Sequence, residues 1–158
     1  MLGLAAQWLG VNQTQANSVA PILISEEQGR HKSTFCRMLM PPQLARYYSD
    51  NLKLTAQGNP ERLLAEMGLL NMDEFDKFGA QKMPLLKNLM QMSSLNICKA
   101  YQKNFRSLPR IASFIGTSNR TDLLCDPTGS RRFICIEAEH DIDCTGIEHS
   151  QIYAQLKT

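Results

Sequence analysis

Long apolar runs are missing from this 158-residue sequence, and so is a large excess of charge of either sign. No stretch approaches the roughly 20 apolar residues that a membrane-spanning helix needs, so we expect no membrane span. The opening stretch, MLGLAAQWLG, lacks the basic lead of a signal peptide and favours a helix instead. The formal net charge of +2 excludes a chain that is basic or acidic throughout.

The sequence also lacks a C-x-x-C pair. Its five cysteines are odd in number and widely spaced, which favours reduced thiols in a cytoplasmic protein. They are Cys36, Cys98, Cys125, Cys135 and Cys144. Two cysteines and two histidines near the end of the sequence come closest to a zinc-binding set, but their spacing matches no common zinc site. These four residues are Cys135, His140, Cys144 and His149.

Charge is distributed unevenly along the chain. Residues 99–132 contain seven Lys or Arg and two Asp, whereas residues 133–158 contain five acidic residues and one Lys. Because the basic residues are concentrated in one region, we expect a local contact with a polyanion.

Short apolar runs alternate with helical patterns. The runs typical of buried strands are APILIS, GLLNMDEFD, RIASFIGTSN and RRFICIEAE, and the helical patterns between them are STFCRMLM, PERLLAEMG and KMPLLKNLMQM. This alternation predicts an α/β fold in which a mostly parallel central sheet is flanked by helices on both faces.

The length fits one domain, residues 1–158. Both ends fall within helical patterns, so we expect a piece of a longer protein. We assign residues 1–19 to an N-terminal helical segment, 20–139 to the core and 140–158 to a C-terminal helical segment.

Two glycines are missing from a loop that otherwise suggests phosphate binding. In SEEQGRHKSTF, Glu26 and His31 occupy the glycine positions of the pattern G-x-x-x-x-G-K-[ST], whereas Lys32 and Ser33 match it. The loop follows a predicted strand and precedes a predicted helix, whose N-terminus would favour a phosphate. His31 is tolerable because histidine is enriched at positive φ, whereas Glu26 must point away. An ordinary capped helix start explains the loop alone equally well.

Within a phosphate loop, Lys32 would reach the terminal phosphates and Ser33 would hold Mg²⁺. We expect Lys32 to face solvent when no ligand is bound. The strand GLLNMDEFD ends on Asp73 and Glu74, at the edge where open parallel sheets place ligands. Asp73 would support the Mg²⁺ water shell, and Glu74 would orient or deprotonate an attacking water. A solvated turn is the alternative interpretation of this pair.

Two further positions fit the same chemistry. Asn119 ends the strand in RIASFIGTSNR, where its amide could bridge the attacking water and the terminal phosphate, although an Asn there also caps turns. Arg131 and Arg132 follow the turn in DPTGSRRF and could stabilise charge on a transferring phosphoryl group, although paired arginines are often only surface residues.

The segments SEEQGRHKSTF, GLLNMDEFDKF, MPLLKNLMQM, NICKAYQKNFRSLPRIASFIGTSNR and DPTGSRRF, in this order, resemble the virulence-associated protein E family. That family is similar to the ATPase domains of superfamily-three phage and viral primase-helicases, which have a three-layer P-loop fold. The resemblance implies a Walker A loop, Walker B acids at Asp73 and Glu74, a polar sensor at Asn119 and an arginine finger at Arg131 or Arg132. The nucleotide-binding residues would be Gln28, Gly29, Arg30, His31, Lys32, Ser33 and Thr34.

The resemblance also implies a central phosphate-loop strand and a basic hairpin that contacts single-stranded or duplex DNA inside a homo-oligomeric ring. The residues at the place of the hairpin are Lys99, Tyr101, Lys103 and Arg106. The implied function is ATP binding, with Mg²⁺, and ATP hydrolysis in a primase-helicase-like protein of a phage or mobile element. The altered loop leaves turnover open, so a nucleotide-binding switch without hydrolysis and a DNA-binding module with a relic nucleotide site remain alternatives.

Overall fold

A computed structural model describes residues 1–10, 16–98, 105–120, 122 and 130–156. The helices are α1 (Leu2–Leu9), α2 (Lys32–Met38), α3 (Pro60–Glu66), α4 (Met83–Gln91) and α5 (His149–Gln155). The strands are β1 (Ala20–Ile24), β2 (Tyr48–Ser49), β3 (Leu69–Met72), β4 (Ser94–Cys98), β5 (Phe105–Pro109), β6 (Ser113–Ser118) and β7 (Phe133–Glu137). Short 3-10 helices span Pro42–Tyr47, Ala56–Gly58, Phe75–Lys77, Ala80–Lys82 and Ser130–Arg132.

Five strands form a parallel sheet in the order β2-β3-β6-β1-β7. This confirms the predicted α/β fold with a mostly parallel sheet. The implied central position of the phosphate-loop strand is only partly correct, because β1 lies inside the sheet but β6 is its middle strand. One strand lies beyond β1 on one side and three lie on the other. All strands of the sheet therefore end at the same edge, where polar side chains can meet.

Two apolar layers hold the sheet between helices. Alternate residues of the inner strands face opposite sides, as β geometry requires. One face, represented by Ile22, Leu70 and Phe114, packs against Leu64 of α3 and Leu86, Leu89 and Met90 of α4. The other face packs on α1 and α2; its residues are Leu23, Leu69 and Ile115, joined by Leu4 and Cys36.

The predicted N-terminal segment contains α1 and the predicted C-terminal segment contains α5, although residues 16–19 and 140–148 are not helical. The two helices contact each other. The rings of Trp8 and Tyr153 stack with centroids 5.9 Å apart. The Tyr153 hydroxyl also donates to the carbonyl of Leu39, just after α2, at 3.0 Å. The C-terminal segment is therefore packed against the end of α2.

The strands β4 and β5 pair antiparallel, with Ser94 opposite Pro109 and Cys98 opposite Phe105. A hairpin was implied at this place by the family resemblance, and its strands are confirmed. Arg110 follows β5 and is 1% exposed. Its guanidinium lies over the ring of Phe114, 5.1 Å from the centroid.

In the part of the chain that the structure describes, no helix is long and apolar enough to cross a membrane. The described cysteines Cys36, Cys135 and Cys144 are free thiols.

Candidate functional site

The loop between β1 and α2 turns through two left-handed residues. Gly29 has φ +86°, and His31, which precedes the first turn of α2, has φ +59°. Glycine tolerates such a φ without strain, and histidine adopts it more readily than most residues. The expectation that His31 replaces a glycine at positive φ is confirmed. Glu26, whose charge would oppose a phosphate, is exposed and does not line the cavity described below.

Lys32 lies beneath this loop and is only 8% exposed. The expectation that it faces solvent was therefore wrong. Its ammonium donates to the carbonyls of Ser25 and Glu27, each at 3.3 Å, and to Asn119 Oδ1 at 3.0 Å. Burial and the positive charge of Arg30 lower the pKa of Lys32, against the opposing influence of nearby acids. Backbone carbonyls exposed by the loop's tight turn draw the side chain inward, a contact that sequence spacing does not reveal.

Asp73 joins the loop to the end of the acidic strand. Its Oδ1 accepts a hydrogen bond from the Ser33 hydroxyl and another from the Thr117 hydroxyl, both at 2.6 Å. The three residues come from α2, β6 and the turn after β3, whose ends meet at one edge of the sheet. Ser33 and Asp73, which the sequence assigned separately to Mg²⁺ and its water shell, are thus in direct contact.

Glu74, the second acid, has φ +50°, an uncommon conformation for a side chain that is not glycine. Its backbone N–H donates to Thr117 Oγ1 at 3.3 Å. Its carboxylate forms an ion pair of 2.6 Å with Lys77, and this contact raises the pKa of Lys77. The carboxylate is therefore bound to a neighbouring cation in this conformation.

Three consecutive residues at the end of β6 each bind a different part of the site. Thr117 binds Asp73, Ser118 donates to Asp76 Oδ1 at 3.0 Å, and Asn119 binds Lys32. Only Asn119 was predicted from the sequence. Side chains alternate along a strand, so Thr117 shares the α2 face with Ile115 and reaches the acids. A hydroxyl two residues before the Asn was the signal that could have found it.

These side chains surround a cavity of about 400 Å³. It is lined by Gln28, Gly29, Arg30, His31, Lys32, Ser33, Thr34, Asp73, Glu74, Thr117 and Asn119. The structure therefore brings all the predicted loop residues together with both acids and the predicted sensor amide. Arg30 lies at its side, paired with Glu27 at 2.6 Å and Asp141 at 3.4 Å.

Arg131 and Arg132 lie elsewhere. They immediately precede β7, which runs parallel to β1 with Phe133 opposite Ala20. The loop follows the other end of β1, about 16 Å further along a five-residue strand. Neither arginine lines the cavity, and Arg131 is exposed. They therefore lie at the opposite edge of the sheet from the loop of the same chain.

Comparison with known families places this geometry in context. Residues 10–158 match the model of the virulence-associated protein E-like domain. The chain belongs to this family. No curated protein gave a significant match.

Two solved structures share the fold of this virulence-associated protein E-like domain. The A form apo structure of the NrS-1 C-terminal region (305–718) is 22% identical, with a TM-score of 0.58. A second structure of that region, also an apo A form, is 21% identical, with a TM-score of 0.55. The alignments cover 97% and 98% of this chain but only 37% and 38% of those chains. At this identity the likeness concerns the fold, and the present chain spans well under half of its neighbours.

Among the residues that the structure describes, the β4–β5 hairpin carries one basic side chain. Arg106 is exposed on β5, opposite Ile97 of β4. The other predicted DNA contacts lie outside the described residues, as does the turn expected at 126–129. They are Lys99, Tyr101 and Lys103. The assignment of these residues to DNA therefore stays a prediction.

The oxygen atoms around Asp73 suit Mg²⁺. This ion prefers oxygen ligands and commonly takes one or two from a protein, with substrate phosphates and waters completing its shell. The Ser33 hydroxyl and the Asp73 carboxylate offer such a pair in direct contact. The described residues contain no cluster of three or more His, Cys, Asp or Glu suited to a metal.

Proposed function

We propose that this domain binds MgATP in the cavity at the carboxyl edge of the sheet and hydrolyses it, as the ATPase part of a primase-helicase-like protein. The observation that carries the proposal is the convergence of Lys32, Ser33, Asp73 and Asn119 on one cavity through direct hydrogen bonds. Cation, hydroxyl, carboxylate and amide are the groups that phosphoryl transfer requires.

Lys32 would bind the terminal phosphates. Its present acceptors, one amide oxygen and two carbonyls at 3.0–3.3 Å, are neutral, whereas a phosphate oxygen carries negative charge and binds the ammonium more strongly. Gly29 and His31 line the cavity and are exposed, so a polyphosphate can approach along the loop. On ligand binding, Lys32 would exchange its hydrogen bonds to neutral oxygens of the protein for stronger bonds to phosphate oxygens.

Ser33 and Asp73 would hold Mg²⁺, directly or through its waters. When bound, the ion neutralises charge on the phosphates. Asn119 would orient the attacking water against the terminal phosphorus. Glu74 would accept a proton from that water as the bond to the terminal phosphoryl group breaks, leaving ADP and phosphate. For this role, its carboxylate must leave Lys77.

Arg131 and Arg132 would act on a neighbouring subunit. Their position at the opposite edge of the sheet prevents them from reaching the cavity of their own chain. In a closed ring each chain presents one surface to the next, and an arginine supplied in trans stabilises the charge of phosphoryl transfer. We therefore propose a homo-oligomeric ring for the longer protein. The basic hairpin would contact DNA within it, during replication of a phage or mobile element.

A nucleotide-binding switch without turnover is the second candidate. The 2.6 Å ion pair between Glu74 and Lys77 favours it, because a carboxylate bound to an ammonium group is a poor proton acceptor. Exposed ion pairs contribute about 0–1 kcal/mol, so nucleotide or DNA binding can break this one.

The deciding experiment measures ATP binding by titration and ATP turnover with and without single-stranded DNA. We expect MgATP binding, with turnover that DNA increases. Lys32→Ala should lose most of the affinity, whereas Lys53→Ala, an exposed lysine that does not line the cavity, should resemble the parent. Binding without turnover under all conditions would support the switch. DNA affinity without ATP affinity would indicate a relic nucleotide site and contradict the proposal.

A further inference from the structure

One hydroxyl group at the end of β6 contacts both acids of the site. Thr117 is 3% exposed, and its side chain lies among the ends of β3, β6 and α2. The hydroxyl donates a hydrogen bond to Asp73 Oδ1 at 2.6 Å and accepts a hydrogen bond from the backbone N–H of Glu74 at 3.3 Å. A hydroxyl has one donor and two acceptor positions, so these two bonds are compatible.

The two bonds fix different properties of the acids. The bond to Asp73 leaves that carboxylate shared between Thr117 and Ser33, so its orientation relative to the loop is set from two sides. The bond to Glu74 holds a backbone at φ +50°, which most residues avoid and which needs outside support. That backbone determines the direction in which the Glu74 side chain leaves the turn.

We infer that Thr117 is a positioning residue that sets the Mg²⁺-binding orientation of Asp73 and the catalytic orientation of Glu74. The inference rests on the proposed function and adds a residue to it. Thr117 acts through the two acids and leaves phosphate binding to Lys32 and the loop. Its loss should therefore affect Mg²⁺ dependence and turnover, and leave affinity for metal-free ATP unchanged.

Three substitutions distinguish the effect of the Thr117 hydroxyl from the effects of side-chain shape and of hydroxyl loss elsewhere on the strand. Thr117→Val keeps the shape and removes both bonds, whereas Thr117→Ser restores the hydroxyl without the methyl group. Ser113→Ala is the matched control, because Ser113 is a buried hydroxyl on the same strand and face but at the opposite edge of the sheet. Thermal unfolding of each variant shows whether the fold is retained.

The measurements are ATP affinity without metal, the Mg²⁺ concentration that gives half-maximal MgATP binding, and kcat with KM. Removing an outer partner of a metal-binding residue typically costs 10–100-fold, so Thr117→Val should raise the Mg²⁺ requirement and lower kcat by about 10-fold or more. Metal-free affinity should stay within about twofold. Thr117→Ser and Ser113→Ala should both resemble the parent.

The outcomes distinguish this inference from the proposed function. If the parent protein binds ATP no better than the Lys32→Ala variant, both the proposed function and the inference about Thr117 are wrong. If the parent binds MgATP without turnover, hydrolysis fails while the Mg²⁺ titration still decides the role of Thr117. Equal Mg²⁺ dependence in Thr117→Val and the parent overturns the inference alone, and so does a Ser variant as impaired as Val. Should Val not fold, Thr117→Ala against Thr117→Ser makes the same comparison.

Discussion

Two buried cations lie at opposite edges of the same sheet, and they are bound very differently. Lys32, at the carboxyl edge, has three acceptors at 3.0–3.3 Å and lines an open cavity. Arg110, at the amino end of β6, donates to the carbonyls of Asn17, Met90 and Ala112 at 2.6–2.8 Å. Longer contacts of Arg110 reach two further carbonyls, those of Leu89 and Met92.

Burial lowers the pKa of both cations, and only the pKa of Lys32 is also shifted by neighbouring charges. Burial lowers the pKa of Arg110 to about 10, so it stays charged at neutral pH. Burial also lowers the pKa of Lys32, and the neighbouring charge of Arg30 lowers it further, while Asp73 and Asp76 raise it. Arg110 is thus a fully bonded structural cation between α4, β6 and the segment before β1. Lys32 keeps bonds that an anionic ligand can replace, which is the state expected of a binding residue.

The largest expected effect concerns the exposed Arg131 and the half-buried Arg132 at the amino edge. If Arg131 or Arg132 acts in trans, the double variant Arg131→Ala, Arg132→Ala should lose about 10³- to 10⁵-fold in turnover. Parent turnover should rise more than linearly with protein concentration. Mixing the double variant with Lys32→Ala should recover activity, because some interfaces then pair an intact loop with intact arginines. Normal turnover by the double variant, or a co-assembled mixture with no activity, contradicts a shared site.

Arg110 should matter for stability more than any exposed arginine. Each buried carbonyl left without its donor costs about 1–3 kcal/mol, so Arg110→Met should lower the free energy of unfolding by about 3 kcal/mol or more. Urea denaturation measures this effect. Arg62→Ala is the control, because Arg62 pairs with Glu66 on the exposed side of α3 and its loss should be barely measurable. If the two variants lower the free energy of unfolding equally, Arg110 stabilises the fold no more than a surface arginine does, and the prediction is wrong.

Glu74→Gln tests the chemistry at the carboxyl edge. The amide keeps the size of the side chain but cannot accept the proton, so turnover should fall by roughly 10²-fold or more while ATP affinity is retained. Lys77→Met removes the ammonium group that holds Glu74 and should leave turnover equal or higher. Parent-like hydrolysis by Glu74→Gln excludes Glu74 as the base, whereas a large loss in Lys77→Met assigns the ion pair a supporting role.

The smallest expected effect concerns the hairpin. Arg106 is exposed on β5, and one lost phosphate contact should reduce the salt slope of single-stranded DNA binding by about 0.7. The measurement is DNA affinity for Arg106→Ala across a salt series, with Arg62→Ala as the control. A double variant of Lys99 and Lys103 should flatten the slope further. If the salt dependence of DNA affinity is unchanged in both hairpin variants, DNA binds at another surface of the protein.

The sequence was sufficient for the fold and for most of the residues around the cavity. The parallel strands β1, β3 and β6 are buried on both faces, and their apolar residues stand out as short runs between helical patterns. Parallel strands end at one edge, so the sequence alone predicts that Lys32, Asp73 and Asn119 lie near one another. The left-handed conformation of His31 is consistent with the enrichment of histidine at positive φ.

Other features depend on contacts between residues distant in sequence. Thr117 resembles any strand hydroxyl until β3 and β6 pair and bring it to Asp73, 44 residues away. The burial of Lys32, wrongly expected to face solvent, results from carbonyls that the loop turns toward it. Arg110 and Arg131 look alike in the sequence, yet one is enclosed by carbonyls and the other is exposed.

Local residue chemistry by itself determined the helical segments, four of the five strands of the sheet and the edge at which polar groups collect, because these follow from apolar periodicity and from strand ends. The two-residue strand β2 and the pairing of β4 with β5 did not follow from periodicity. Tertiary structure decided which hydroxyl binds Asp73, which cation is structural and which is available to a ligand. It also placed Arg131 and Arg132 away from the loop of their own chain. The physical reason is that hydrogen bonding and desolvation depend on distances and burial, which exist only once separate strands have packed together.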